Sequence, residues 1–137
     1  MTGLSNRTER ADRQTGRTSA ARAAERRTRV RGQGEEQRLE PADLSGELGE
    51  RATLVQFSSA FCAPCRATRR TLGEVAAMVP GVTHVDIDAE AHLSLVRALG
   101  IVRTPTVLVL DAAGRVVRRA AGQPRRADVI AALGEAL

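Results

Sequence analysis

Two cysteines three positions apart, Cys62 and Cys65, are the residues best equipped for chemistry, and they are the only cysteines in a chain of 137 residues. A Cys-x-x-Cys pair can pass between dithiol and disulfide, and its location decides whether it does so readily. The run Thr53 to Phe57 (TLVQF) before it has the composition of a strand, and Pro64 to Val79 after it has apolar residues at helical spacing. Cys62 therefore falls at a helix start, beside unsatisfied backbone N–H groups and the positive end of the macrodipole, both of which favour thiolate over thiol. A thiol of pKa about 8.5 is about 3% ionised at pH 7, whereas one shifted to about 7 is half ionised. Cys62 is expected to attack, and Cys65, one turn further in and more buried, to resolve the mixed disulfide. Pro64 stiffens the dipeptide Ala63-Pro64 and suits a first helical turn, and Arg66 adds positive potential. A zinc site would require His84 and His92 to converge on the helix start, yet the pattern puts one in a strand and the other in a second helix. No metal is expected.

The elements that must hold this pair read out along the chain. Asp43 to Gly49 is a turn or short helix leading in. Beyond the cysteine-bearing helix, which Pro80-Gly81 ends, Val82 to Ile87 alternates as a strand, and Glu90 to Leu99 forms a second helix with Gly100 as a left-handed cap. Thr106 to Leu110 is a β-branched strand, Asp111 to Gly114 a hairpin turn, Val116 to Ala120 its antiparallel partner, and Asp128 to Leu137 a third helix. The order β-α-β-α-β-β-α gives an α/β fold with a mixed four-stranded sheet flanked by helices. Residues 1–40 hold ten arginines and only three large aliphatic residues, too few to offset ordering entropy, so they read as a disordered Arg-rich tail before a domain at 41–137. Within that tail, Ser19 to Arg29 has the composition of a transient helix.

Composition narrows the function classes. Two Phe and no Tyr or Trp leave almost no platform for stacking bases, and the net charge of +5 comes from arginines alone, without lysine, so the basic balance is a weak nucleic-acid signal. No apolar run approaches the roughly 20 residues of a membrane helix, and the arginine-rich start lacks the apolar stretch of an export signal. A cytoplasmic monomer is expected.

The chain resembles the thioredoxin family. Leu54-Val55-Gln56-Phe57-Ser58-Ser59-Ala60-Phe61-Cys62-Ala63-Pro64-Cys65-Arg66 is similar to the family's strand, aromatic residue and Cys-x-Pro-Cys pair, and Gly100-Ile101-Val102-Arg103-Thr104-Pro105-Thr106 to its second signature. Asp86-Ile87-Asp88, the Asp111–Gly114 turn and Gly122 also fit, and the likeness covers about residues 50 to 137. The resemblance implies a thioredoxin-like fold, a cis peptide at Thr104-Pro105, and Thr104, Pro105 and Phe61 as substrate-binding residues, with main-chain pairing at Thr104. It also implies dithiol exchange with no cofactor beyond the Cys62-Cys65 disulfide.

Departures from the family pattern concern the residues that shape the site. Gln56 stands where the family has a buried Asp that passes a proton to or from the resolving cysteine. An amide cannot do this, and water or His84, which stands where the family has Lys, would have to substitute. Phe61 and Ser58 replace two tryptophans, which bears on docking to a thioredoxin reductase as electron donor, and Ala63 replaces a Gly. The domain also begins late, with Arg38 to Glu50 as a remnant of a further β-α unit. The reading is a thiol-disulfide oxidoreductase reducing protein disulfides in bacterial redox homeostasis. An envelope-side oxidoreductase, membrane-associated or exported, is the second enzyme reading. A redox-responsive binding module using the arginine tail is the reading from another class, and a scaffold domain without turnover a further one.

Overall fold

The computed structural model describes residues 37–44 and 46–137. The Arg-rich tail and the transient helix expected at Ser19 to Arg29 lie outside the described residues, apart from the tail's last four positions. Four strands, β1 (Ala52–Ser58), β2 (Val82–Asp88), β3 (Thr106–Asp111) and β4 (Val116–Ala121), form one sheet in the order β2-β1-β3-β4. β1 runs parallel to β2 and antiparallel to β3, and β3 pairs antiparallel with β4. The helices are α1 (Pro41–Leu44), α2 (Ala63–Met78), α3 (Leu93–Leu99) and α4 (Arg126–Ala136). The observed order matches the expected one, with α1 added in front.

Alternation along β1 sorts the core into two layers, because successive strand side chains point to opposite faces. Val55 and Phe57 face one layer with Leu39, Leu44, Ile87, Leu95, Leu99, Ile101, Leu108 and Leu110. Ala52 and Leu54 face the other, with Leu72 and Val75 of α2, Val107 and Val109 of β3, and Val129, Leu133 and Ala136 of α4. Every residue of β1 is buried, as a central strand covered on both faces requires. By the same period Gln56 and Ser58 belong to the α2 face, which carries two polar side chains under the cysteine-bearing helix.

One sequence expectation is corrected. The helix expected from Glu90 to Leu99 is split: Ala89–Ala91 is a single 3-10 turn, and α3 starts after His92. Asp88 caps the turn by accepting from the backbone N–H of Glu90 at 3.0 Å, and His92 Nδ1 lies 2.9 Å from the Asp88 carbonyl, so local side-chain bonds compete with a continuous helix. Residues just before the expected start at 41 also pack on the sheet. Leu39 is only 1% exposed, its N–H donates to the Gly114 carbonyl at 2.9 Å, and Val116 N–H donates to the Gln37 carbonyl at 2.8 Å. Residues 37–40 thus lie along the β3–β4 hairpin. Gly114 is required there, since its φ is +87° and a side chain would collide with the Leu39 backbone.

Candidate active site

All the loops that bear the expected site residues leave the same end of the sheet. Phe57 pairs with Thr106 and Ser58 with Asp88, so the ends of β1 and β2 and the start of β3 share one rim. Cys62 is the N-cap residue of α2, with extended backbone, and its Sγ accepts from the Cys65 N–H at 3.2 Å. Cys62 and Cys65 are joined as a disulfide with a Cα–Cα distance of 5.2 Å. Cys62 is partly exposed, whereas Cys65 is 1% exposed at the head of the buried stripe Cys65, Thr68, Leu72 and Val75. Ala63 and Pro64 occupy the first turn of α2, exposed, where a proline removes no helix hydrogen bond. Arg66 is exposed in the same turn.

Phe61 precedes the pair with φ +56°, a left-handed conformation unusual for an aromatic residue, and its side chain is fully exposed. The Thr104-Pro105 peptide is cis. Thr104 is tied to the loop before the cysteines by an Oγ1–Oγ contact of 2.8 Å with Ser59, and the Pro105 carbonyl accepts from Gly122 N–H at 2.8 Å. These two bonds fix the proline loop between the cysteine loop and the end of β4.

Beneath Cys65 lies a chain of polar side chains. Gln56 Nε2 donates to the Cys65 carbonyl at 2.7 Å and to Ser58 Oγ at 3.0 Å. Ser58 Oγ donates to Asp86 Oδ1 at 2.7 Å, and the other Asp86 oxygen accepts from Arg69 Nε of α2 at 2.6 Å. On the far side, Gln56 Oε1 lies 3.3 Å from His84 Nε2. Because a carbonyl only accepts, the Cys65 bond fixes the amide orientation, so His84 must carry its proton on Nε2 and donate. Burial holds the His84 pKa below its ordinary value; Asp86 pulls it back up and Arg69 pushes it further down. Gln56, which the sequence marks as site-shaping, and His84 thus sit in one network, but the imidazole reaches Cys65 only through an amide, which does not gain or lose protons in the ordinary pH range. His84 positions Gln56, and its hydrogen bond does not make it the direct proton carrier entertained from sequence.

Sequence reasoning missed the Ser58–Asp86–Arg69 chain, the Ser59–Thr104 tie and Arg103. The strand alternation that puts Gln56, Ser58, His84 and Asp86 on one face could have found the first of these. Arg103, exposed beside Thr104, extends its guanidinium over Gly122, where Nη2 lies 3.5 Å from the position a Cβ would take. Among the described residues no group of His, Cys, Asp and Glu side chains is arranged to hold a metal ion. No helix among the described residues is long and apolar enough to cross a membrane.

The thioredoxin family profile matches residues 39–135. A thioredoxin of Mycolicibacterium smegmatis is 31% identical over 87 residues, 61% of this chain and 77% of that protein. Among solved structures, a chloroplastic thioredoxin z superposes with a TM-score of 0.55 at 28% identity, over 63% of this chain and 78% of its own. A mutant thioredoxin of Halobacterium salinarum superposes with a TM-score of 0.58 at 17% identity, over 64% of this chain and 75% of its own.

Proposed function

The chain belongs to the thioredoxin family, whose activity is thiol-disulfide exchange, and on that footing we propose that it reduces disulfides of other proteins. The observation that carries this reading is the asymmetry of the pair, with Cys62 accessible at a helix N-terminus and accepting a backbone N–H, and Cys65 buried one turn on. The Cys62 thiolate attacks one sulfur of the substrate disulfide. A Cys62–substrate disulfide forms as the substrate bond breaks, and the second substrate sulfur leaves as a thiolate and takes a proton from solvent. Cys65, deprotonated, then attacks Cys62 Sγ and expels the first substrate sulfur. Two electrons pass to the substrate, and the pair is left as the Cys62–Cys65 disulfide. An external dithiol donor of the thioredoxin-reductase class restores it.

Thr104 and Pro105 present main chain beside Cys62, and Phe61 offers an apolar face to the incoming segment. Gln56, Ala63, Pro64 and Arg66 shape the site. The reading carries with it a cytoplasmic monomer with no organic cofactor. The test is the reduction potential of the pair, measured by equilibrating the protein in thiol-disulfide buffers and counting alkylated thiols by mass, since the chain has no Trp or Tyr to report optically. A value near about −270 mV is expected. A value above about −200 mV would make the protein an oxidant or isomerase instead, and failure to form the internal disulfide would overturn the catalytic reading.

A further inference from the structure

We propose that Arg103 selects substrates with an acidic side chain close to the disulfide that Cys62 attacks. This rests on the oxidoreductase reading and names its substrate class. Thr104 and Pro105 are held against the cysteine loop through Ser59, and Gly122 is held against Pro105 by its N–H, so Arg103, Thr104, Pro105 and Gly122 form one continuous rim of the site. A segment whose main chain lies along Thr104 and whose sulfur reaches Cys62 passes within reach of Arg103.

Two observations give that position its chemistry. The Arg103 side chain is exposed and, among the described residues, neither pairs with a carboxylate nor donates a hydrogen bond, while its carbonyl is engaged by Thr106 Oγ1 at 2.6 Å. Its backbone is therefore anchored while its cation has no partner. The arginines of β4 and of the start of α4 are committed, Arg118 to Glu135, Arg126 to Glu74, and Arg119 to the carbonyls of Leu99 and Gly100, whereas Arg66, exposed in the first turn of α2, adds a second cation on the other side of the cysteines. Gly122 has no Cβ, and Arg103 Nη2 lies 3.5 Å from where one would stand.

Charge is also divided across the site. The carboxylates at this end of the sheet, Asp86, Asp88 and Glu90, lie on or just after β2, on one side of β1, whereas Arg103 lies just before β3, on the other. Neighbouring Val102, 89% exposed, and Phe61 add apolar surface. The rim therefore complements a segment that combines apolar residues with an Asp or Glu on the Arg103 side, where a guanidinium can take a carboxylate in a bidentate pair.

The test uses disulfide-linked peptides with Glu, Gln or Lys two residues before the cysteine, and a second set with the same residues two positions after it. Fully reduced protein is mixed with each peptide, the reaction is quenched with acid, and released peptide thiol is counted by mass. In 20 mM salt the Glu peptide of at least one set should react about threefold faster than its Gln counterpart and about tenfold faster than the Lys one. The ratio should shrink in 0.5 M salt, where screening acts within a few ångströms. In Arg103→Gln the Glu-to-Lys ratio should fall to within twofold of one, and Arg103→Lys should restore part of it. Reduction of all peptides without charge preference, or a preference that survives Arg103→Gln, overturns this proposal and leaves the oxidoreductase reading standing. Reduction of none overturns both.

Discussion

The side-chain amide of Gln56 donates to the backbone carbonyl of Cys65 at 2.7 Å, from the middle of the sheet to the first turn of the cysteine-bearing helix. This is the link between β1 and Cys65. Gln56 is fully buried and satisfies three partners at once: the Cys65 carbonyl, the Ser58 hydroxyl and the His84 N–H. Gln56→Ala leaves these groups without their partner in a dry site, and each orphaned group costs about 1–3 kcal/mol unless water enters. Urea denaturation of the oxidised protein should show a loss of about 2–4 kcal/mol. The resolving step should slow, seen as a longer-lived mixed disulfide in acid-quenched reactions. A loss below 0.5 kcal/mol would show that the network carries no stability.

His84 gives stability a pH dependence of definite sign. Burial, partly countered by Asp86 and reinforced by Arg69, lowers its native pKa below the ordinary 6.5. Between the lowered native value and about 6.5 the unfolded chain binds more protons than the native one, so stability rises with pH across that window. The contribution is complete above about pH 6.5 and is lost as pH falls through the native value. Denaturation at a series of pH values from 7.5 to 5 should show a loss in the wild type that is smaller in His84→Gln. Parallel curves for the two proteins would refute this assignment.

Thr68 is buried in the stripe of α2 that faces the sheet, and its hydroxyl has no hydrogen-bond partner among the described residues. Valine has the same shape without the polar atom, so Thr68→Val removes an uncompensated desolvation cost. A gain of about 1 kcal/mol is expected in urea denaturation. A loss would mean that the hydroxyl is bonded in solution.

Leu39 packs with Leu44, Phe57, Leu108 and Leu110 although it precedes the first helix. Leu39→Ala should cost about 2–4 kcal/mol, the range for deleting a buried leucine side chain. A surface segment laid loosely on the hairpin would cost under 0.5 kcal/mol, and thermal unfolding distinguishes the two.

Arg119 reaches back from β4 to donate to the Leu99 carbonyl at 2.6 Å and the Gly100 carbonyl at 2.9 Å, closing the C-terminus of α3. The loop carrying Arg103, Thr104 and Pro105 starts there. Arg119→Met keeps the aliphatic stem and removes the bonds; about 1–2 kcal/mol of stability should be lost. The KM for a disulfide peptide should rise a few-fold with kcat nearly unchanged. An effect on kcat alone would refute the idea that Arg119 positions the loop of Thr104 and Pro105.

Much of the fold and the centre of the candidate site are legible in the sequence, because both are written in local terms. TLVQF before the cysteines and a 3-to-4 apolar spacing after them are enough to set Cys62 at a helix start. Gly100 is read correctly as a left-handed cap, at φ +66°, because only the local backbone decides it. Elsewhere local signals mislead. The helix break at His92 depends on competing bonds from Asp88, and Leu39 looks like part of a polar tail because its apolar partners are far away in sequence.

The sequence by itself determines the element order, the reactive pair and the direction of its asymmetry, since period, caps and helix dipole all act over a few residues. Tertiary structure alone decides what Cys65 rests on and what borders the proline loop. The parallel register of β1 and β2 sets Gln56 opposite Asp86 and Leu54 opposite His84, joining residues 28 apart into one hydrogen-bonded chain. The packing of the proline loop against β4 brings the Arg103 guanidinium over Gly122. Such contacts depend on strand register and loop closure, which no short window of sequence contains.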